Sequence, residues 1–319
     1  MKAFSFGIAA GFAAAFAGIA SLFGAVGALW PDRLPPPAIS RLAVIDEKLR
    51  FLRDRPELDP EILAVGSSIT WRQLSGAEFE RDGGARFLNA GMVKLKTHHT
   101  ATMAEFFLDR YRRVDDLVTL VSLPDFEDCS DDAALMFDPD DALRYAFDGW
   151  PESYFYLRYF DLRRYVRTAR TLAEKRIPLT GELYIDDYGS GPIQLSRELD
   201  LGLRYGDIYP DPRCTAALVA LAQKAAARGV DVTIVFSPIH PDYRDLYPVS
   251  MQAMEQLVAE VREGASAHGA KVISLFDDPR FVAHDFYDAF HLQWDAVDEL
   301  SRVVAAALQD RVSSIELDR

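Results

Sequence analysis

The chain has 319 residues, of which 49% are hydrophobic and 26% charged, so its composition excludes a predominantly disordered protein. Its formal net charge of −14 argues against nucleic acid as a partner, because an acidic surface repels phosphate backbones. The two cysteines form no Cys-x-x-Cys pair, so zinc and dithiol redox motifs are not indicated.

The first element is an apolar segment. Residues 4–30 contain no charged side chain, and a helix of that length reaches roughly 40 Å, enough to cross a bilayer core of about 30 Å. We predict a transmembrane anchor over residues 1–30, with Lys2 on the cytoplasmic side and the rest of the chain outside. A cleaved signal peptide is the alternative, and it also exports the chain.

Residues 31–58 are predicted to form a proline-rich spacer and a first helix, and residues 59–319 to form the main domain. Short apolar runs in that domain are typical of buried strands. They are Ile62–Val65, Arg86–Asn89, Leu117–Leu123, Val232–Phe236 and Lys271–Leu275. Helical patterns separate them, so we predict an α/β fold: a three-layer α/β/α sandwich around a parallel sheet.

The helical segments follow from residue spacing and stop signals. Residues 212–228 are rich in alanine and end at Gly229, and residues 251–268 end near Gly269. In the last helix one apolar face is predicted to pack on the sheet. Its residues are Val297, Leu300, Val304 and Leu308.

Residues of about 130–210 form a predicted insertion between the third and fourth strands. The segment is rich in Asp, Tyr and Phe, and residues 165–175 look helical. We expect a lid or a substrate platform, with most of its aromatic side chains in a core. Cys129 and Cys214 flank this region; we favour two unpaired thiols, and a disulfide remains possible outside the cytoplasm.

The first chemical motif follows the first strand. The sequence there is Gly66-Ser67-Ser68-Ile69-Thr70, and it places a serine at the carboxyl end of a parallel strand, where open α/β sheets bind ligands. Glycine permits the sharp turn, and the amides of the following helix can stabilise an oxyanion.

The second motif precedes the last helix, at Asp288-Ala289-Phe290-His291. A serine needs a base to become a nucleophile, and histidine is suited to this role at neutral pH. A carboxylate must then hold the imidazole in the correct tautomer, and Asp288 stands three residues away.

Together these motifs resemble those of the SGNH (GDSL-like) hydrolase superfamily, whose first block reads Gly-Asp-Ser and whose last block reads Asp-x-x-His. The resemblance implies a catalytic triad of Ser68, His291 and Asp288 without metal or cofactor. It also implies an oxyanion hole formed by the amides of Ser68 and Gly91, the latter from Asn89-Ala90-Gly91.

The third block of that superfamily, Gly-x-Asn, has no counterpart here. The third strand ends in Ser122-Leu123-Pro124-Asp125, which offers no asparagine. Pro124 has no backbone N–H, and an ionised Asp125 would repel an oxyanion, so we expect Asp125 to point away from it or lie far from it.

Other residues compete for roles at the site. Ser67 is a rival nucleophile and Asp285 a rival partner of the histidine, but the motif register favours Ser68 and Asp288. Three histidines near predicted strand ends are candidate substrate contacts. They are His98, His99 and His240. A metal site would need a third ligand at matching spacing, which the sequence does not offer.

The resemblance implies a serine esterase or O-acyltransferase acting on acyl groups, acetyl above all, of cell-envelope or secreted polysaccharide. Water as the acceptor gives an esterase, and a sugar hydroxyl gives a transferase. The implied setting is the extracytoplasmic side of the inner membrane, where a membrane protein that donates acyl groups is a possible partner. The alternatives are a non-catalytic polysaccharide-binding or assembly protein of the same fold and, more remotely, a scaffold for a membrane acyltransferase complex.

Overall fold

A computed structural model describes residues 34–81, 84–130, 137–195, 203 and 205–317. It also describes positions 10, 11, 14, 17, 18, 21, 23–25 and 29, and for residues 310–317 the backbone alone. The predicted membrane helix over residues 1–30 lies mostly outside the described residues and stays a prediction. Within the described part of the chain, no helix is long and apolar enough to span a bilayer.

The chain divides into two compact units. The first comprises residues 1–56 and 135–177, and the second comprises residues 57–134 and 178–319. The early part of the insertion therefore groups with the first helix, whereas its later part belongs to the unit that contains the sheet.

The second unit is built on a parallel sheet. Its described strands are β1 (Ile62–Ala64), β2 (Phe87–Asn89), β3 (Asp116–Val121), β4 (Asp231–Phe236) and β5 (Lys271–Ser274). These strands lie within the five predicted apolar runs or differ from them by one or two residues at an end. All pairings are parallel, and the strand order is β2-β1-β3-β4-β5.

This strand order places a switch point between β1 and β3. From β1 the chain moves to β2 in one direction, and from β2 it returns past β1 to β3 in the other. Open α/β sheets bind ligands in the crevice at such a point, beyond the carboxyl ends of the strands. The segments that follow β1 and β3 therefore border the expected ligand site.

Helices of the second unit cover the sheet. In chain order they are α1 (Ser68–Arg72), α2 (Gly76–Phe79), α3 (Thr97–Arg110), α4 (Pro212–Ala226), α5 (Pro241–Leu246), α6 (Pro248–Ser266) and α7 (Trp294–Leu317). Helix α4 packs against α3, α6 and β4, and α7 packs against α2. Because parallel crossovers are right-handed, α2 and α7 lie on one face of the sheet and α3, α4 and α6 on the other.

The predicted apolar face of the last helix is buried, as expected for a helix that closes a sheet. Val297, Leu300 and Val304 are fully enclosed, and Leu308 is nearly so. The α/β fold with a central parallel sheet is thus as predicted from the periodicity of the sequence.

The cysteine prediction was wrong. Cys129 and Cys214 form a disulfide bond, with an S–S distance of 2.07 Å. Cys129 follows β3, and Cys214 lies in the first turn of α4. The two positions are separated by 85 residues in the sequence, so no local pattern could indicate that α4 returns to the exit of β3.

The first unit is helical in its described part. Its helices are α8 (Ala43–Arg53), α9 (Pro139–Ala146), α10 (Glu152–Arg158) and α11 (Leu162–Lys175). Helix α8 packs on α9, and its Glu47 accepts a hydrogen bond from Arg176 at 2.7 Å. Of the aromatic residues predicted to fill a core, Phe155 and Tyr156 are buried, whereas Phe160 is exposed.

Candidate active site

Ser68 lies directly beyond the carboxyl end of β1, as the first residue of α1. Ser67 caps this helix, because the Ile69 N–H donates to Ser67 Oγ at 3.1 Å. Gly66 is required at the turn, since a Cβ there would lie 2.0 Å from Thr70 Oγ1. Ser67 therefore has a structural role, and Ser68 is left to face the site.

Thr70 fixes the serine helix to the sheet. Its hydroxyl donates to Leu120 O at 2.9 Å and accepts from Leu120 N–H at 3.0 Å. Both bonds are buried and join α1 to β3, the strand on the other side of the switch point. Two bonds on one side chain restrict the orientation of the short helix, and with it the direction of Ser68.

Asp288 and His291 meet in a turn just before α7. Asp288 Oδ1 accepts the backbone N–H groups of Phe290 at 2.9 Å and His291 at 2.8 Å, which fixes the carboxylate. His291 Nδ1 lies 3.0 Å and 2.9 Å from the two oxygens of Asp288. The Asp-x-x-His segment thus forms a turn in which the carboxylate is hydrogen-bonded both to the backbone and to the imidazole ring.

The two motifs come together across the sheet. His291 Nε2 lies 3.0 Å from Ser68 Oγ, although the residues are 223 positions apart. With Nδ1 donating to the carboxylate, Nε2 is left as the acceptor for the serine hydroxyl. The serine hydroxyl is thus within hydrogen-bond reach of the ring, in an arrangement in which histidine can remove the serine proton.

Asp288 is held in its charged form. Burial raises the pKa of its carboxyl, but the His291 ring and the hydrogen bonds from His291 and Phe290 outweigh burial and leave the pKa below its usual value. A carboxylate that stays ionised can stabilise the imidazolium formed when serine gives up its proton.

Asp285, the rival partner of the histidine, is hydrogen-bonded within its own turn. Its Oδ2 accepts the Val282 N–H at 2.8 Å, which caps the short 3-10 helix Ala283–Asp285. No hydrogen bond between Asp285 and His291 is found among the described residues. Asp285 is therefore not positioned to orient the histidine.

Gln73 joins the two motifs, and sequence reasoning missed it. Its side chain is fully buried; Nε2 donates to Phe290 O at 3.0 Å, and Oε1 accepts the Leu292 N–H at 3.1 Å. Gln73 follows α1, and its partners flank His291. This single amide therefore fixes the serine helix against the histidine turn.

The Gly91 prediction needs correction. The Gly91 N–H donates to Asn89 Oδ1 at 2.9 Å, so it is not available to an oxyanion. Glycine has a packing reason here, because a Cβ would lie 2.8 Å from the Trp71 nitrogen. Among the described residues, the amides of Ser68, Val93 and Lys94 have no protein acceptor.

A cavity of about 610 Å³ opens over Ser68 and His291, a volume that suits a small-molecule substrate. The described residues of its wall all belong to the second unit. Apolar lining residues include Ile69, Val93, Leu95, Pro124, Ile193, Tyr205, Tyr287 and Phe290. Polar ones are Ser67, Ser68, Arg72, Lys94, Lys96, Asp125, Glu182 and His291.

The later part of the insertion contributes three of these residues. They are Glu182, Ile193 and Tyr205. This part of the insertion forms part of the cavity wall near Ser68, and its role as a lid or substrate platform stays a prediction. The sequence offered no motif for these positions, which are brought to the cavity by tertiary packing.

The histidines proposed as substrate contacts are elsewhere. His98 and His99 lie in the first turn of α3, where His99 Nδ1 accepts the Lys96 N–H at 3.2 Å. His240 caps α5 by accepting the Asp242 N–H at 3.1 Å. None of the three is part of the described cavity wall. Within the residues that the structure describes, no group of three His, Cys, Asp or Glu side chains could hold a metal ion.

Asp125 lines the cavity, so of the two placements expected for it, the distant one does not hold. Its Oδ2 accepts the Ser122 N–H at 2.9 Å, which directs that oxygen toward the end of β3. Burial raises the pKa of Asp125 from 3.8 to about 6, against the opposing effects of Ser122, Ser67, Lys96 and His291.

This raised pKa predicts a pH-dependent stability. A carboxyl with a higher pKa in the folded state stabilises the protein below about pH 3.8, and the contribution is lost as the pH rises through about 6. The shift corresponds to about 3 kcal/mol. We therefore expect Asp125→Asn to become progressively more stable than wild type as the pH rises.

Denaturant unfolding of both proteins across this range measures the effect. The exposed Asp245→Asn is the matched control and should follow wild type. A constant difference between wild type and Asp125→Asn at all pH values would contradict the prediction.

No protein-family model matches this sequence, and no curated protein matches it. Among solved structures, the chain is similar to a protein from Streptococcus pneumonia provisionally named a platelet activating factor. They share 14% identity and a TM-score of 0.44 over 84% of this chain and 94% of that one. For TesA the identity is 14% and the TM-score 0.41, over 78% and 98% of the two chains.

A third similar structure is a provisionally named acylhydrolase from Bacteroides fragilis. It has 10% identity and a TM-score of 0.43, covering 83% of this chain and 97% of that chain.

Proposed function

We propose that the protein is a serine hydrolase or acyltransferase that transfers an acyl group from an ester through an acyl-serine intermediate. The supporting observation is the chain of contacts from Ser68 Oγ through the His291 ring to the Asp288 carboxylate. Contacts of this kind activate serine in unrelated folds. The cavity above Ser68 offers room for an ester.

In the first half of the reaction, Ser68 Oγ attacks the ester carbonyl while His291 Nε2 takes the hydroxyl proton. The tetrahedral intermediate then collapses, the ester bond breaks, and the leaving alcohol receives that proton from His291. Asp288 stays ionised and stabilises the imidazolium between these two transfers.

The oxyanion is held by backbone amides in this proposal. The Ser68 N–H stands at the start of α1, and the unbonded amides of Val93 and Lys94 belong to residues that line the same cavity. They replace Gly91 as the second donor. Preorganised amides of this kind favour the charged intermediate without reorganising during the reaction.

In the second half, an acceptor attacks the acyl-serine with His291 as the base again. Water gives an esterase and a sugar hydroxyl gives an O-acyltransferase. Acyl groups of extracytoplasmic polysaccharide remain the substrate that the motif resemblance implies. The Cys129–Cys214 disulfide supports an oxidising compartment outside the cytoplasm.

A non-catalytic binding protein is the second candidate. It is favoured by Asp125, a carboxylate on the cavity wall after β3, where the resembled superfamily has an asparagine. An ionised carboxylate there would disfavour an oxyanion. The two candidates differ in whether Ser68 reacts.

A fluorophosphonate probe followed by peptide mass spectrometry tests the proposal. We expect wild type to be labelled on Ser68 and Ser68→Ala to remain unlabelled. Ser67→Ala is the matched neighbour: it should lose about 1 kcal/mol of stability with its helix cap and still be labelled. Absence of labelling in folded wild type would favour the binding protein.

A further inference from the structure

The cavity has a charge balance opposite to that of the whole chain. Arg72, Lys94 and Lys96 line it, against the two carboxylates Asp125 and Glu182. Three positive and two negative side chains give the described part of the wall a formal excess of positive charge, whereas the chain carries −14 overall.

Arg72 is a buried part of this wall. Its guanidinium donates to Gly191 O at 2.8 Å and to Glu182 O at 3.0 Å. Both hydrogen bonds end on backbone carbonyls, and the Glu182 carboxylate interacts electrostatically with the guanidinium. Arginine stays protonated in proteins, so the charge persists on the serine helix.

The two lysines differ in whether their ammonium groups have partners in the protein. Lys96 Nζ donates to Pro124 O and lies 3.6 Å from Glu127 Oε2. Lys94 is exposed and has no ion pair or hydrogen bond among the described residues. Of the cations that the structure describes on the cavity wall, Lys94 is thus the one whose charge is open to a ligand.

The backbone at Lys94 supports a specific role. Its φ of 62° lies in the left-handed region, which a lysine adopts at a cost of roughly 1–2 kcal/mol. Sparsely populated conformations of this kind are concentrated at functional sites. Here the strained residue is Lys94, which lines the cavity that contains Ser68 and has no ion pair among the described residues.

We propose that the substrate is an anionic ester, in which a carboxylate, phosphate or sulfate group near the ester bond contacts Lys94 and faces Arg72. The apolar residues of the cavity would then pack against the uncharged part of the molecule. An acyl ester of an acidic sugar belongs to this class. This inference rests on the proposed function and adds the charge of its substrate.

Matched chromogenic esters test the charge preference. The neutral reference is para-nitrophenyl hexanoate. The mono-para-nitrophenyl ester of adipate carries a carboxylate on the acyl side of the ester. A hexanoate ester of a carboxylated nitrophenol carries the carboxylate on the alcohol side. We expect Lys94→Gln to lower kcat/KM for at least one charged ester by about two- to fivefold more than for the neutral ester. Lys94→Glu should have a larger effect, and added salt should weaken the wild-type preference.

Lys224→Gln is the control variant. Lys224 lies on α4, pairs with Glu105 at 2.6 Å, and its removal changes the net charge equally. It should leave the ratio of charged to neutral turnover at the wild-type value. Equal effects of Lys94→Gln on charged and neutral esters would overturn the inference while leaving the hydrolase proposal intact. Failure of wild type to turn over any ester would instead count against the hydrolase proposal. The inference of an anionic substrate would then be overturned as well.

Discussion

Replacement of Ser68 by alanine is expected to lower kcat/KM for ester turnover by about 10⁴-fold or more, because members of a catalytic triad act as a unit. His291→Ala should lose a similar factor, and the double variant should lose little more than either single one. This non-additivity is the signature of one shared mechanism, since a base without its nucleophile contributes almost nothing.

Asp288→Asn is the informative third variant. The asparagine Oδ1 can still accept the two backbone N–H groups that close the turn, so the fold should hold. The amide nitrogen, however, cannot accept a hydrogen bond from His291 Nδ1–H, and the ring would lose its preferred tautomer. We expect a loss of about 10⁴-fold in kcat.

His284→Ala serves as the control for these measurements. The His284 side chain is 84% exposed and stands seven residues before His291 in the same segment. Its removal should leave kcat/KM at the wild-type value. Near wild-type activity in folded Ser68→Ala or His291→Ala would show that the assigned residues are not the catalytic ones.

The parts predictable from the sequence are those encoded by local spacing. Strands buried on both faces are continuous apolar runs, so β1 and β4 are visible as such. The Asp-x-x-His turn is closed by hydrogen bonds within four residues, and therefore its geometry follows from its own sequence. The position of Ser68 follows from the rule that parallel strands present their carboxyl ends to the ligand.

The parts that were missed depend on contacts distant in sequence. Gln73 connects to residues 217 and 219 positions away, and a buried glutamine carries no motif. Glu182 and Tyr205 reach the cavity through the folding of the insertion. Gly91 was assigned from a motif alone, but its amide is occupied by Asn89, a local bond that only the backbone geometry reveals.

The second large effect concerns the disulfide. Replacing Cys129 and Cys214 by serine is expected to lower the free energy of unfolding by about 4.5 kcal/mol, the chain-entropy value for a closed loop of this length. The bond links positions 85 residues apart, and the unfolded chain without it gains the conformational freedom of that loop. Either single serine variant should lose as much as the double variant, because one thiol alone cannot form the bond.

The folded state should survive this loss, since other contacts join the same two segments. The Cys129 N–H donates to Asp211 Oδ2 at 3.1 Å, and the Asp211 N–H donates to Phe126 O at 2.7 Å. Asp211 also caps α4 by accepting the Arg213 N–H at 2.9 Å. The start of α4 therefore stays hydrogen-bonded to the exit of β3 when the disulfide is absent.

Guanidinium unfolding with and without dithiothreitol separates the contributions. Reduced wild type should unfold at the same denaturant concentration as the double serine variant, and the variant itself should not respond to the reductant. At concentrations well below the transition, both should retain ester turnover, because the bond acts mainly on the unfolded chain. If the reductant left the wild-type midpoint unchanged while the thiols were titrated as free, the stabilising role of the disulfide would be refuted. A large loss of turnover in the folded variant would instead mean that the bond holds the segment after β3, with Asp125, in place at the cavity.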